Sequence, residues 1–310
     1  MKKILNNKIK LGLKITFFVL FLLSISFFYQ QEKKEISDVL ADGNSDGIAV
    51  RVFSNEGHFS PSRWYEEQGF SGSPSALMVD GYEAVRDGRT VYVNAGNIDD
   101  DNDFYTNIYL ISYNQGADSA TTQIFNQIVS HWKFNVNLPE SGDCCVDTAC
   151  SVITNRCLYD SECVSGEFCN SNKAKVTRDT KRLSDLKEIQ IDLEIASSTL
   201  GHYPKLLAGS YLPGNSASTW NSWQDTFKKE IGVDIPVDPI NRFGSCPDYN
   251  SNTCWNEETK KFAGIISNTG VPTLPVDSYV YTYGASGDGA GYYLCAKLEY
   301  KEGLSCLNKP

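Results

Sequence analysis

The hydrophobic and polar positions of the chain form four stretches with different patterns. Residues 15–29 are an uncharged apolar run, and residues 47–138 mix strand-like runs with helical spacing. Residues 139–172 contain few aliphatic side chains, whereas residues 173–310 begin with a helical pattern and end in strand-like runs. The pattern predicts an α+β protein with an N-terminal membrane helix, an α+β domain, a small module and a second domain in which a helix precedes an antiparallel sheet.

Residues 47–138 carry the signals of an α+β domain. Four runs are rich in β-branched and aromatic residues, as strands are: 48–53, 76–80, 90–94 and 105–113. Asp87-Gly88 predicts a turn between the second and the third of these runs. Pro61–Glu67 follows Ser60 and predicts a short helix with proline in its first turn. Apolar residues at helical spacing between 119 and 134 predict a second helix.

Residues 173–310 predict a helix followed by a hairpin. An apolar stripe runs along a helix from Asp179, with members three or four residues apart: Leu186, Ile189, Leu193, Ala196 and Leu200. Gly201 and then Pro204 predict the end of this helix. Residues 219–231 are also helix-like. Two strand-like runs, 278–283 and 292–300, flank a glycine-rich turn and predict an antiparallel hairpin.

The N-terminus predicts export. Residues 1–14 form a basic flank with five lysines, and the apolar run 15–29 spans about 22 Å as a helix, which is shorter than a bilayer core of about 30 Å. A cleaved signal peptide and an uncleaved anchor both place the remaining chain outside the cell. We favour the anchor because no small-residue cleavage site directly follows residue 29. Residues 30–46 then form a polar linker next to the membrane.

The charge argues against one class of partner. The chain has a formal net charge of −10 at pH 7, and its first 31 residues hold five lysines and no acid, so removing them leaves −15 on the rest. Proteins that bind phosphate backbones carry clusters of Lys and Arg. We therefore do not expect a nucleic-acid partner.

The ten cysteines predict disulfide bonds. Their even number in an exported chain favours disulfides over metal ligation, and Cys144-Cys145 lacks the spacing of a zinc site. Six of them lie in residues 139–172, which cannot bury a core without crosslinks: Cys144, Cys145, Cys150, Cys157, Cys163 and Cys169. These six allow fifteen pairings, among which the sequence does not choose. In the last domain we expect two local bonds, Cys246–Cys254 and Cys295–Cys306.

The order of several short motifs in residues 173–310 resembles the globular part of type IV pilins and type II secretion pseudopilins. Two motifs carry the resemblance, a turn after the helix and a later proline-rich loop: Gly201, Tyr203, Pro204, Pro236, Asp238, Pro239 and Asn241. Residues 292–299 match the closing strand. The resemblance implies a helix laid across a small antiparallel sheet, and partners that are other envelope or filament subunits or an external surface. Residues 58–65 and 79–94 are similar to uncharacterised bacterial surface proteins.

The chain departs from the pilin pattern in two ways. The apolar run starts Ile15-Thr16-Phe17-Phe18-Val19 and lacks the acidic residue that pairs pilin subunits during assembly. Roughly 150 residues also separate this run from the predicted head helix, whereas in pilins the two helices are continuous. Both features argue against polymerisation through the usual helical core.

Two acidic loops are candidates for binding Ca²⁺. The alternative interpretation is that both are ordinary loops exposed to solvent. Asp99, Asp101 and Asp103 cluster in sequence, and Asp288 lies in the late loop where some pseudopilins bind Ca²⁺. The run Asp42-x-Asn44-x-Asp46-Gly47 copies the start of an EF-hand loop, but Phe53 stands where the loop needs a bidentate Glu. We predict no other cofactor.

Catalysis has little support in the sequence. The three histidines, His58, His131 and His202, lie outside any metalloprotease motif, and no nucleophile elbow or phosphate loop is present. We predict a membrane-anchored extracellular surface protein that is pilus-associated or adhesive and has no catalytic residues. The aromatic residues Trp220, Trp223, Tyr249 and Trp255 offer either a contact surface or ordinary core. The alternative is an exported hydrolase with its site in residues 47–138.

Overall fold

The computed structural model describes residues 46–99, 101–138, 140–266 and 272–309. The predicted basic flank and membrane helix, and the linker up to residue 45, lie outside the described residues. Within the described residues, no helix combines the length and the apolar run that a membrane crossing needs. The predicted mixture of helices and antiparallel sheets is confirmed.

The first sheet has five antiparallel strands in the spatial order β1-β5-β4-β3-β2. The strands are β1 Ile48–Ser54, β2 Ser75–Val79, β3 Tyr82–Asp87, β4 Thr90–Ile98 and β5 Phe104–Tyr113. Asp80 and Gly81 connect β2 to β3 with φ of 53° and 86°. This left-handed pair fits a type I′ hairpin turn, which Asp-Gly favours because glycine adopts positive φ without strain. The four strands predicted in this region are confirmed.

Helices pack on both faces of the first sheet. Side chains alternate along β4, so Tyr92 points to one face and Val93 to the other. Helix α1 (Pro61–Glu67) buries Trp64 against Tyr92, and helix α2 (Ser119–His131) buries Phe125 with Val93. The N-caps Ser60 and Asp118 accept hydrogen bonds from the backbone N–H of Arg63 and Thr121, at 3.2 and 2.7 Å. Both helices are therefore fixed by capping and by burial.

Three disulfides hold the small module together. Its strands β6 (Gly142–Cys145), β7 (Ile153–Cys157) and β8 (Phe168–Cys169) form a sheet in the order β7-β6-β8, and a 3₁₀ turn covers Asp160–Glu162. The bonds are Cys144–Cys163, Cys145–Cys150 and Cys157–Cys169. The crosslinks supply the stability that the few apolar residues of this segment cannot.

One long helix joins the three parts. Helix α3 spans Asn172–Leu200 and begins at the N-cap Ser171, so it starts seven residues before the predicted Asp179. Its N-terminal part contacts β3 and β4, and its C-terminal part packs on the second sheet. Gly201 ends it as predicted, with φ of 75° in the left-handed region.

The second sheet is antiparallel in the order β16-β15-β14-β9, and two short hairpins lie beside it. The strands are β9 Asn215–Ala217, β10 Trp255–Asn256, β11 Lys261–Phe262, β12 Ile265–Ile266, β13 Pro272–Thr273, β14 Thr282–Ala285, β15 Tyr292–Leu298 and β16 Gly303–Lys309. A π-helical turn, Trp223–Phe227, continues into α4, Lys228–Ile231, within the region predicted to be helical. The structure forms both expected disulfides, Cys246–Cys254 and Cys295–Cys306.

The core of the second sheet confirms the apolar stripe of α3. Leu186, Ile189 and Leu193 are buried against this sheet and the π-helical turn, together with Trp223 and Tyr283. Fully burying each aliphatic side chain stabilises the fold by about 1.5–3 kcal/mol. The last member of the stripe is less buried, since Leu200 is 44% exposed at the end of the helix.

Candidate ligand-binding cleft

The tryptophans expected at a contact surface lie inside the fold. Trp220, Trp223 and Trp255 are all at least nine-tenths buried, and each indole N–H donates a hydrogen bond within the protein, at 2.9 Å. Tyr249 is half-buried beside the same cluster. The contact-surface interpretation of these tryptophans is therefore wrong, because their rings fill the space around the second sheet.

The turn motif after α3 connects the helix to the second sheet. Tyr203 packs edge-on against Tyr292, with ring centroids 4.7 Å apart, and its hydroxyl donates to Glu194 at 2.9 Å. The carbonyl oxygen of Pro204 accepts a hydrogen bond from the Tyr283 hydroxyl at 2.8 Å. These contacts fix the direction in which the chain leaves the helix.

The proline-rich loop supplies a buried carboxylate. The carbonyl oxygen of Pro236 accepts from the Trp223 indole, and the Asn241 side chain accepts from the Ser218 hydroxyl at 2.7 Å. Asp238 is 1% exposed and accepts from the backbone N–H of Ile240 at 2.9 Å. The loop thus holds Asp238 in one orientation toward α3.

Arg182 of α3 binds three buried carboxylates at once. Its side chain is fully buried and donates to Asp238 through two nitrogens, at 2.7 and 3.0 Å. It also donates to Asp179 at 2.9 Å and contacts Glu299 at the end of β15. A bidentate, fully buried Arg–carboxylate pair is both strong and geometrically specific. This cluster ties the proline-rich loop and the second sheet to the middle of α3.

Arg178, one turn earlier, extends the cluster to the disulfide module. It donates to both oxygens of Glu299, at 2.7 and 2.6 Å, and to Asp160 at 2.5 Å. Burial alone would raise the pKa of Glu299, but the charges of Arg182 and Arg178 outweigh it and lower that pKa to about 2. We call Arg178, Asp179, Arg182, Asp238 and Glu299 the ionic junction.

A cleft of about 330 Å³ opens beside the ionic junction. The β2–β3 hairpin contributes Met78 and Glu83 to its walls, and Asp160 of the module and Pro239 of the proline-rich loop complete them on the other sides. The third wall is one face of α3 with Thr177, Thr180, Lys181 and Ser184. The cleft is thus formed by the first domain, the module and the last domain together.

The walls of the cleft combine hydroxyls with a charged pair. Thr177 and Thr180 each donate their hydroxyl to a backbone oxygen of α3, at 2.9 and 2.8 Å; Thr177 is half-buried, whereas Thr180 is only 3% exposed. Lys181 bridges Glu83 at 2.7 Å and Asp185 at 3.1 Å. Met78, 60% exposed, adds an apolar edge. Such a lining suits a small polar group with some apolar surface.

Asp185 is buried one turn after Lys181 and next to the ionic junction. It accepts a hydrogen bond from the buried Tyr281 hydroxyl at 2.8 Å. Burial raises the pKa of Asp185 to about 6, although the charge of Lys181 opposes the shift. Its carboxylate therefore changes charge in the mildly acidic range.

The acidic residues considered for Ca²⁺ do not converge on a common point. In the β4–β5 loop, Asp99 accepts from the backbone N–H of Asp103 at 2.6 Å, and Asp103 pairs with Lys301. Asp101 lies in the same loop, whose Asp100 is outside the described residues. Asp288 accepts from Ser286 and from the Ala290 N–H, at 2.7 and 3.0 Å.

Within the described parts of the chain, one group of three possible metal ligands comes together, Cys144, Cys157 and Cys163, and all three sulfurs are in disulfides. Of the EF-hand-like run, Asp42 and Asn44 lie outside the described residues. Asp46 accepts from Thr121 at 2.7 Å, and Phe53 packs on Trp64. In these ranges no three carboxylate or imidazole side chains bring their ligand atoms close enough together to share one ion.

The three histidines have neutral polar partners. His58 Nδ1 lies 3.0 Å from the Thr106 hydroxyl. Burial lowers the pKa of His58, and the positive charge of Lys187 lowers it further. His131 and His202 contact backbone carbonyl oxygens at 2.9 and 2.8 Å. Around none of these rings do the described residues assemble a hydroxyl–imidazole–carboxylate triad. The exported-hydrolase alternative stays a prediction.

Comparison of the chain with protein-family models, with curated proteins and with solved structures finds no match. The pilin resemblance therefore rests on the sequence motifs and stays a prediction. The class that the structure itself defines is coarser: an α+β protein with antiparallel sheets and five disulfides, built around one long helix.

Proposed function

We propose that this chain is an envelope-anchored extracellular surface protein, pilus-associated or adhesive, that acts by binding and not by catalysis. The observation that carries the proposal is the cleft, whose walls come from three parts of the chain and are fixed by the ionic junction and the module disulfides. A site that is rigid before binding loses little conformational entropy on binding, which favours recognition. All ten cysteines are in disulfides, which supports an oxidising location.

Two features bear on the pilin-like part of this proposal. The C-terminal half of α3 lies on a four-stranded antiparallel sheet, the arrangement that the resemblance implies. The N-terminal half, however, is enclosed: Ser171 and Lys173 are buried, and Lys173 pairs with the buried Asp80 at 2.7 Å. Contacts with the first domain and the module therefore cover much of this half of α3. The enclosure argues against a filament built on this half of the helix.

Immunogold electron microscopy on intact cells tests the location. The antibody is raised against residues 173–310, and unpermeabilised cells without the protein are the control. Gold spread over the envelope is the expected result, and gold along thin appendages would support a filament component. Labelling that appears only after the cells are opened would contradict the extracellular assignment.

Blocking the mouth of the cleft should abolish binding. In Met78→Trp the larger ring covers the cleft, and we expect at least about tenfold weaker binding than for the unaltered chain, equal to about 1.4 kcal/mol. The full-length chain in detergent is applied to glycan and peptide arrays to find and compare its ligands. Met78→Leu keeps the apolar edge and is the matched control. Equal binding by all three proteins would show that the cleft is not the ligand site.

A further inference from the structure

Three strands of the first sheet each place one side chain on the same wall of the cleft. Met78 of β2 pairs with Glu83 of β3, and because Ala84 pairs with Val93, the next position sets Glu83 opposite Asn94 of β4. All three side chains line the cleft. Side chains directly opposite each other on neighbouring strands have Cβ atoms about 4.5–5.5 Å apart. This wall therefore presents an apolar side chain, a carboxylate and an amide in one row.

Two carboxylates of the cleft each have one oxygen that no described residue contacts. Glu83 Oε1 accepts from Lys181 at 2.7 Å, and Asp160 Oδ1 accepts from Arg178 at 2.5 Å. Among the described residues, neither Glu83 Oε2 nor Asp160 Oδ2 accepts a hydrogen bond, and the two side chains are 37% and 43% exposed. A guanidinium prefers both oxygens of one carboxylate, whereas an ammonium binds single oxygens of separate groups. The free oxygens therefore favour an ammonium.

The salt bridges in and behind the walls leave an excess of negative charge. Three cations pair with six carboxylates: Arg178, Lys181 and Arg182 with Glu83, Asp160, Asp179, Asp185, Asp238 and Glu299. Such an excess attracts a cationic ligand and disfavours one that carries a carboxylate. The charge of the cleft thus agrees with its free oxygens.

Asn94 adds a hydrogen-bond donor beside the carboxylate of Glu83. Asn94 is 2% exposed, and its side-chain oxygen accepts from the Asn55 amide at 3.0 Å. The backbone N–H of Phe59 donates to the Asn55 oxygen at 3.0 Å, which fixes the orientation of both amides. Within the described ranges, the amide nitrogen of Asn94 has no hydrogen-bond partner. A ligand oxygen next to the ammonium would complete the hydrogen bonding of this buried side chain.

The start of a polypeptide carries both groups, because its α-ammonium and its first carbonyl oxygen lie about 3 Å apart. We propose that the cleft binds the free N-terminus of a partner polypeptide, with the ammonium at Glu83 and Asp160 and the first carbonyl at Asn94. Met78 then contacts the first side chain. The volume of about 330 Å³ is at the small end of ligand sites and suits a chain end. This inference rests on the proposed binding function and specifies its ligand.

Isothermal titration calorimetry of the full-length chain in detergent micelles tests the ligand class. The probe is Leu-Gly-Gly amide at pH 7.0, where its α-amino group, with a pKa of roughly 7.7–8.0, is mostly charged. The same peptide with an acetylated N-terminus should bind at least about tenfold more weakly. Isoamylamine, which is leucine without its carbonyl group, should also bind about tenfold more weakly because it offers nothing to Asn94.

A charge-removing variant locates the bound peptide in the cleft. Glu83→Gln should weaken binding of Leu-Gly-Gly amide about tenfold, because one carboxylate partner of the ammonium is lost. Glu66→Gln is the matched control, since it removes the same charge from another partly exposed ion pair, with Arg63 in α1. Its effect should be less than about twofold, as expected of a screened surface charge. Thermal melting shows whether both variants are folded.

Several outcomes would overturn the proposal. These are no binding of Leu-Gly-Gly amide, equal binding of its acetylated form, or binding that folded Glu83→Gln or Met78→Trp leaves unchanged. Tighter binding of acetylated Gly-Lys-Gly amide would assign the cleft to a side-chain ammonium instead. If Glu83→Gln does not fold, the comparison of the three ligands on the unaltered chain decides.

The proposed binding function is judged separately from this inference. An array ligand that lacks a free N-terminus, but loses binding in Met78→Trp, would keep the cleft as the ligand site and refute only the N-terminus as its occupant.

Discussion

Replacing Arg182 with methionine is expected to lower the free energy of unfolding by about 3–5 kcal/mol. The guanidinium is fully buried and is the common partner of Asp238, Asp179 and Glu299. Methionine fills much of the same space but leaves these carboxylates without their main counter-charge in a region of low dielectric. Removing one partner of a buried ionic cluster costs far more than the cluster contributes, because the remaining charges stay buried.

Urea unfolding of the full-length protein, followed by tryptophan fluorescence, measures this loss. Arg182→Lys keeps the charge but not the two-nitrogen contact with Asp238. Its free energy of unfolding should therefore lie between those of the unaltered protein and of Arg182→Met. The matched control is Arg63→Met, which removes a partly exposed ion pair with Glu66 and Glu188, whose side chains are 64% and 23% exposed, with an expected loss of about 1 kcal/mol or less. If Arg182→Met loses no more unfolding free energy than Arg63→Met, water or a rearranged loop must solvate the three carboxylates in place of the guanidinium.

The parts of the fold that local rules govern could be predicted from the sequence. Four of the five strands of the first sheet follow from β-branched and aromatic runs, and Asp87-Gly88 marks the turn before β4. Strand β3, Tyr82–Asp87, was not predicted, since three of its six residues are charged. The C-terminal half of α3 follows from its apolar stripe and from Gly201. Cys246–Cys254 and Cys295–Cys306 close short loops, so their pairing needs little information from elsewhere in the chain.

The first seven residues of α3, before the predicted start at Asp179, and the burial of its charged side chains could not be predicted from hydrophobicity. The hydrophobic pattern predicts that Arg178, Asp179 and Arg182 face solvent, whereas all three are buried. Their partner Glu299 is about 120 residues away in sequence, and no local pattern indicates it. The one available signal is the spacing of charged residues three and four apart between 178 and 185, which places several of them on one side of a helix.

The cleft could not be predicted from the sequence for a related reason. Its walls come from the β2–β3 hairpin, the disulfide module, α3 and the proline-rich loop, and of these residues only Pro239 belongs to a motif that the sequence indicates. The pairing within the module depends on the register of β6 against β7 and β8, which the cysteine spacing alone leaves open. Sites formed between distant segments emerge only when the packing is known.

Replacing Asp185 with asparagine is expected to raise the free energy of unfolding at pH 7.5 by about 1–3 kcal/mol. Burial raises the pKa of Asp185 from its ordinary 3.8 to about 6 in the folded protein. Between these values the folded state binds this proton more tightly than the unfolded state does. The stability that this group contributes is therefore full below about pH 4 and is lost as the pH rises through 6. Asparagine carries no charge and still accepts the Tyr281 hydrogen bond.

Urea unfolding at several pH values between 4 and 7.5 tests this expectation through the difference between variant and unaltered protein. Taking the difference cancels Glu299, whose lowered pKa of about 2 acts in the opposite direction by adding stability as the pH rises through its ordinary range. The difference should be near zero at pH 4 and grow up to about pH 6.5. Asp234→Asn, at a side chain that is 87% exposed, should show no such trend. If Asp185→Asn is the less stable protein at pH 7.5, the attraction of Lys181 outweighs the burial of the charge, and the ion pair stabilises the fold.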